Sequence, residues 1–132
     1  MNVKQLSSAS LSYLGDSVIE LCVRRYLVSL GISHSAELNR IALDFVKASA
    51  QAEAVKKIMP FLTEEENAVF KRGRNIGHTS TPKSATPSQY RAATGMEALF
   101  GWLYLEGMHE RTDELFNIAY NEQITLLNER KK

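Results

Sequence analysis

Two carboxylates stand in surroundings that rarely hold one. Asp16 lies in SLSYLGDSVIELCV and Glu97 in YRAATGMEALFGWLYLEG. On a helical wheel, Asp16 falls at the edge of an apolar arc of Ile19, Val23, Tyr26, Leu27 and Leu30, and Ser12, Asp16 and Glu20 form one ridge. A carboxylate at a buried helix position is costly unless something compensates it. Arg24, Arg25, the N-terminus of another helix or a metal ion could do so. Around Glu97 the wheel places Tyr90, Ala93, Thr94, Gly101 and Tyr104, with Met96, Leu99 and Leu103 opposite as core. The small residues leave room beside the carboxylate, or they simply let helices pack closely. Two helices that each present one carboxylate could share a divalent ion. Magnesium accepts one or two carboxylates and keeps several waters. The chemistry such an ion serves best is hydrolysis of a phosphate ester.

The charge distribution points the same way. Over the 132 residues, 16 Lys and Arg stand against 15 Asp and Glu, a net charge of +1. From Asn67 to Met96 there is no acidic residue at all, while Lys71, Arg72, Arg74, Lys83 and Arg91 give that stretch +5. Such a window reads as an anion-binding surface or as a solvated basic loop. A hydrophobic fraction of 44% and a charged fraction of 23% exclude intrinsic disorder. No apolar run reaches the roughly 20 residues of a membrane helix, and the N-terminus lacks the pattern of a secretory signal. The single cysteine, Cys22, cannot form an internal disulfide, and no Cys/His cluster has zinc spacing. The expectation is a reduced, soluble, cytoplasmic domain spanning residues 1–132.

The elements that must position these residues read as helices. Ser7 or Ser8 caps a first helix from about Ala9 to Leu30, closed by Gly31. Apolar nearly all round, it is expected in the middle of the domain. Leu38, Ile41, Phe45, Ala48, Ala52 and Val55 form one stripe of a second helix, from Ser33 or Ser35 to Met59 before Pro60. Thr63 and Glu66 are a capping box for a short third helix to about Arg72. A polar loop, GRNIGHTSTPKSATPS, follows. Ser88 is expected to cap a fourth helix running to Glu106, before Gly107, and a fifth covers about Glu110 to Asn128. No β-alternation persists, so the fold class is all-α, with about five to seven helices in one domain.

YLGDSVIEL together with MEALFGWLYLEG resembles the catalytic domain of ribonuclease III, and more closely its Mini-ribonuclease III branch. Tyr13 to Val18, Arg72 to Asn75, Lys83 with Ala85, Tyr90 with Arg91, and Thr94 to Leu99 match that branch in order, and VKASAQA is similar too. The resemblance implies an all-α homodimeric endoribonuclease that cuts double-stranded RNA with Mg2+, with Mn2+ as a substitute. It further implies a role in maturing the ends of the 23S-type ribosomal RNA precursor, with a ribosomal protein on the substrate as a further candidate partner. A following double-stranded-RNA-binding domain is not expected in so short a chain. Asp16 and Glu97 match the catalytic, metal-binding carboxylates. Ser12 and Thr94 stand where full-length ribonuclease III has two more, which leaves the number of ions open; with Glu20 they are possible supporting residues. Arg72, Arg74, Asn75, Lys83 and Arg91 are the expected RNA contacts, and Thr79, Ser80 and Ser84 further donors. Tyr90 is read as packing, and His34, His78, His109 and Cys22 receive no role. The competing reading is a catalytically silent module that binds RNA or the ribosome, which has no reason to keep the two carboxylates.

Overall fold

Local capping chemistry sets most helix boundaries. Ser7 accepts the Ser10 N–H at 3.1 Å and opens α1 (Ser8–Ser29), which ends before Gly31 at φ 80°. α2 covers Ser35–Val46 and α3 Ala48–Ile58, followed by a single 3-10 turn at Met59–Phe61. The Thr63/Glu66 capping box starts α4 (Glu64–Arg74) as expected. α5 (Pro87–Leu105) begins with a second capping box, Thr86 with Gln89, and Pro87 occupies the first helical position. It closes at Gly107 (φ 73°), where Met108 N–H reaches Leu103 O and Gly107 N–H reaches Tyr104 O. α6 (His109–Ala119) and α7 (Asn121–Lys131) complete the chain. The computed structural model describes residues 1–76 and 85–131; these are all-helical, with no strand among them.

α5 is the axis of the molecule. Met96, Ala98, Leu99, Phe100 and Leu103 on it are fully buried, and α1, α3, α4 and α6 all pack against it. The α1–α5 crossing is closer than side chains allow. A Cβ on Gly15 would lie 1.6 Å from the Glu97 carbonyl oxygen, and one on Gly101 would lie 2.1 Å from the Leu11 oxygen. Two glycines thus let two backbones touch, and this contact sets Asp16 beside Glu97.

Several expectations need correction. The second helix is two helices: Lys47 is extended (ψ 151°), its N–H bonding back to Leu43 O and its carbonyl accepting from Gln51 N–H. The break lets α2 pack on α1 while α3 turns onto α5 and α6. Tyr120 (φ −118°) likewise divides the fifth helix into α6 and α7, its ring buried against Phe45 and Phe116. The cap of α5 is Thr86, not Ser88, because Gln89 completes a box only with Thr86. α4 runs on through Gly73, whose missing side chain admits Ala98, so Arg74 belongs to the helix rather than the loop, and Arg72 lies on the helix as expected. The first helix is not buried all round. Tyr13, Leu21 and Val28 are exposed on it, while Leu11, Val18, Ile19, Cys22, Val23 and Leu27 are buried.

Candidate active site

The Gly15–Gly101 crossing builds the site. Glu97 projects from α5 at the contact, half-buried, and Ser12 Oγ on α1 donates to its Oε1 at 3.2 Å. The Glu97 carboxyl is within hydrogen-bond reach of Asp16. Burial, then the Asp16 charge and the hydrogen bond to it, push the Glu97 carboxyl up to about 8, partly offset by the Ser12 hydroxyl. Asp16 is exposed rather than semi-buried, because it lies on the solvent side of the crossing. Neither expected arginine compensates it. Arg24 Nε pairs with Glu20 at 3.0 Å along α1, and Arg25 pairs with Asp113 on α6. Among the described residues no lysine or arginine forms an ion pair with Asp16 or Glu97.

Two adjacent carboxylates without a cation make a donor set for a hard divalent ion. Asp16 and Glu97 supply the charge, and the Ser12 hydroxyl a further oxygen, so the residues present fit magnesium. A cluster of three or more His, Cys, Asp and Glu does not occur among the described residues. Thr94 is buried with its hydroxyl donated to Tyr90 O at 2.9 Å, so it is spent on its own helix. Glu20 is held by Arg24.

The basic residues divide into two groups. Arg74, Asn75 and Arg91 share a cleft of about 440 Å3 between α3, α4 and α5. Arg72 lines a different cleft, of about 370 Å3, together with Lys4, Glu65 and Glu106. Lys83, together with His78, Thr79, Ser80 and Ser84, lies outside the described residues. A cleft of about 490 Å3 between α2 and α7 is lined by Ile41, Phe45 and Leu126 and touches neither carboxylate.

Three features escaped the sequence reading. Glu66, the capping-box residue, is also the buried partner of Arg111 at 2.8 Å. Gly15 is a backbone contact rather than a flexible position. Tyr120 buries its hydroxyl without a hydrogen-bond partner among the described residues, and burial raises its pKa, with the charges of Glu97 and Cys22 adding to the effect. The capping motif and the YLGD glycine were visible signals. Nothing local marked Arg111 or Tyr120, whose partners are distant in sequence.

The ribonuclease III domain family matches residues 9–108. The chain is 45% identical over 118 residues to Mini-ribonuclease 3 of Symbiobacterium thermophilum, covering 89% of this chain and 91% of that one. It is 43% identical over 116 residues to Mini-ribonuclease 3 of Enterococcus faecalis, covering 86% and 88%. A crystallised protein of Fusobacterium nucleatum superposes with a TM-score of 0.82 at 32% identity, covering 92% of this chain and 97% of that one. The chain belongs to the ribonuclease III family, in its Mini-ribonuclease 3 branch, and is an endoribonuclease. The family expected from the YLGDSV and MEAL segments is therefore the right one. No helix among the described residues is long and apolar enough to cross a membrane.

Proposed function

We propose that this protein is a magnesium-dependent endoribonuclease of the cytoplasm that cuts double-stranded RNA, with the ends of a 23S-type ribosomal RNA precursor as its substrate and residues 1–132 as one catalytic domain. The observation that carries the reading is the Asp16–Glu97 contact across the α1–α5 crossing, two carboxylates that no lysine or arginine among the described residues pairs with. Asp16 and Glu97 would hold the ion, with Ser12 orienting Glu97 through its hydrogen bond. Bound there, the ion supplies positive charge and Lewis acidity for phosphodiester hydrolysis. The chain's own contribution is placement. The glycine crossing fixes the distance between the two carboxylates, and burial with the Asp16 charge makes Glu97 hold its proton until a cation would displace it. Manganese, which takes the same oxygen ligands, is expected to replace magnesium.

The protein acts as a homodimer in this reading. Tyr13, Leu21 and Val28 expose an apolar stripe on the same helix as Asp16, which a second copy would cover. Two copies bring two carboxylate pairs to one duplex. Arg74, Asn75 and Arg91 supply phosphate contacts, joined by Lys83 and, from its own cleft, Arg72.

Asp16→Asn decides the matter. It keeps the side-chain shape and removes the charge that holds the ion. Cleavage of duplex RNA in magnesium should vanish while folding and RNA binding survive. Near-wild-type cleavage by the folded variant overturns the metal site. Mapping the cuts made in a precursor ribosomal RNA tests the substrate, and a monomer mass with full activity excludes the dimer.

A further inference from the structure

Two close helix crossings meet on one turn of α5. At the first, Gly15 of α1 lies against the Glu97 carbonyl, and Asp16 follows it in the chain. At the second, α4 comes in. A Cβ on Gly73 would lie 2.6 Å from the Ala98 Cβ, 3.1 Å from the Gly95 Cα and 3.3 Å from the Thr94 oxygen. One turn earlier on α4, Phe70 meets the other glycine of this crossing. A Cβ on Gly95 would lie 2.7 Å from Phe70 Cε2 and 2.9 Å from the Phe70 carbonyl oxygen. Ala98 and Phe70 are 0% and 2% exposed, so both are enclosed in packed interior. Neither can swing aside, because a methyl has no far end to move and the Phe70 backbone is part of the contact. Two such contacts a turn apart hold α4 in one place on α5.

Each contact lies one residue from a group the reaction needs. Gly73 precedes Arg74, Ala98 follows Glu97, and Gly15 precedes Asp16. Arg74–Gly73, Ala98–Glu97 and Gly15–Asp16 are thus three backbones in series, with nothing longer than a methyl between them. The Arg74 guanidinium travels with α4. Its carbon lies 5.9 Å from the Phe70 ring centroid, its Nε donates to Asn75 Oδ1 at 3.3 Å, and both partners belong to α4 or its C-cap. Among the described residues no ion pair ties it to another element.

A glycine brings no reactive group, so its part can only be geometric. We infer that Gly73 is a positioning residue: its contact with Ala98 sets the distance from the phosphate-binding Arg74 to the Asp16–Glu97 pair, and so which phosphate of the RNA strand reaches the ion. The inference rests on the RNA-cleaving reading, in which Arg74 holds a phosphate and the two carboxylates the ion. An added methyl would lift α4 from α5 and carry Arg74 with it, and a removed one would let α4 settle closer. The attraction of a cation for a phosphate falls only as the inverse of distance, so binding tolerates such a shift. Alignment of the reacting phosphate does not, since a misplacement of about 1 Å can cost about a hundredfold in rate.

The test moves one methyl across the contact. Gly73→Ala should lower kcat for duplex RNA in magnesium by about a hundredfold per folded molecule. Duplex binding, read with Asp16→Asn added so that nothing is cut, should stay as it is in Asp16→Asn alone. Ala98→Gly should lower kcat in the same sense and by less. It removes only a methyl, so it decides the matter if Gly73→Ala does not fold. Combining Gly73→Ala with Ala98→Gly returns a methyl to the gap from the other side and should restore most of the rate, a non-additivity expected of residues in contact. Thermal melts give the folded fraction of each sample. A wild-type rate per folded molecule in either single variant, or a combined variant slower than both, overturns the positioning role and leaves the proposed function standing. A loss of duplex binding as large as the loss of rate overturns it too, because Gly73 would then serve affinity. A wild-type protein that cuts no duplex overturns both.

Discussion

Glu66 and Glu97 are both taken out of water by the same fold, and they are treated in opposite ways. Glu66, only 1% exposed, accepts the Thr63 N–H and both Nε and a terminal nitrogen of Arg111. Arg111 in turn donates to Phe61 O at 2.7 Å and pairs with Glu114. The Arg111 bonds, against burial, hold the Glu66 carboxyl below the usual carboxylate range. Glu97 has one hydroxyl and another carboxylate for company, and its carboxyl is pushed up to about 8. A buried charge with every oxygen satisfied belongs to the scaffold. A buried charge facing its like is unfinished until a cation joins it, which makes Glu97 the one to associate with chemistry.

The largest expected effect separates the two in one assay pair. Glu97→Gln should lose cleavage by at least about a thousandfold, roughly 4 kcal/mol of transition-state stabilisation, and melt no lower than the wild type at pH 8. Glu66→Gln should keep the cleavage rate per folded molecule and lose about 3 kcal/mol of stability, the low end for a broken buried pair because Arg111 keeps Glu114 and the Phe61 carbonyl. Urea titrations and cleavage rates on the same two samples check both. A stability loss in Glu97→Gln as large as that in Glu66→Gln would erase the distinction.

The pH dependence sharpens it. Glu66 ionises more easily folded than unfolded, so its contribution is present above the ordinary glutamate range and is lost as pH falls through its lowered value. Glu97 holds its proton more tightly when folded, so its contribution is present below about 4.5 and is lost as pH rises through about 8. In chelator, the melting temperature of the metal-free protein should decline on both sides, with Glu66→Gln flattening the acid limb and Glu97→Gln the alkaline one. Magnesium, binding the ionised pair, should stabilise more at pH 8.5 than at pH 6. Equal stabilisation at both values would mean that the ion does not engage Glu97.

The smallest effect concerns two arginines one residue apart. Arg74→Ala should lower the salt dependence of duplex binding by roughly one unit, the value of one lost phosphate contact. Arg72→Ala should lower it less, because Glu65 and Glu106 share its cleft. Identical slopes would show that the division into two clefts does not matter to RNA.

Helix type, most of the caps and the two carboxylates were legible in the sequence because each depends on neighbours within a turn or on a motif. Ser7, Gly31, the Thr63/Glu66 box and Gly107 all behave as their local chemistry dictates. The Thr86/Gln89 box was equally local and was displaced by the nearby Ser88. Lys47 and Tyr120 were not legible. Neither breaks a helix intrinsically; at Lys47 the break lets α2 pack on α1 and α3 on α5 and α6, and at Tyr120 the ring is buried against Phe45 and Phe116. Tertiary structure alone decided that Asp16 faces solvent, that Glu97 meets it across Gly15 and Gly101, and that Arg72 parts from Arg74. Periodicity tells which residues share a face of one helix. What that face meets is set by the crossing of helices far apart in the chain, and so is whether a carboxylate finds an arginine, as Glu66 does, or another carboxylate, as Glu97 does.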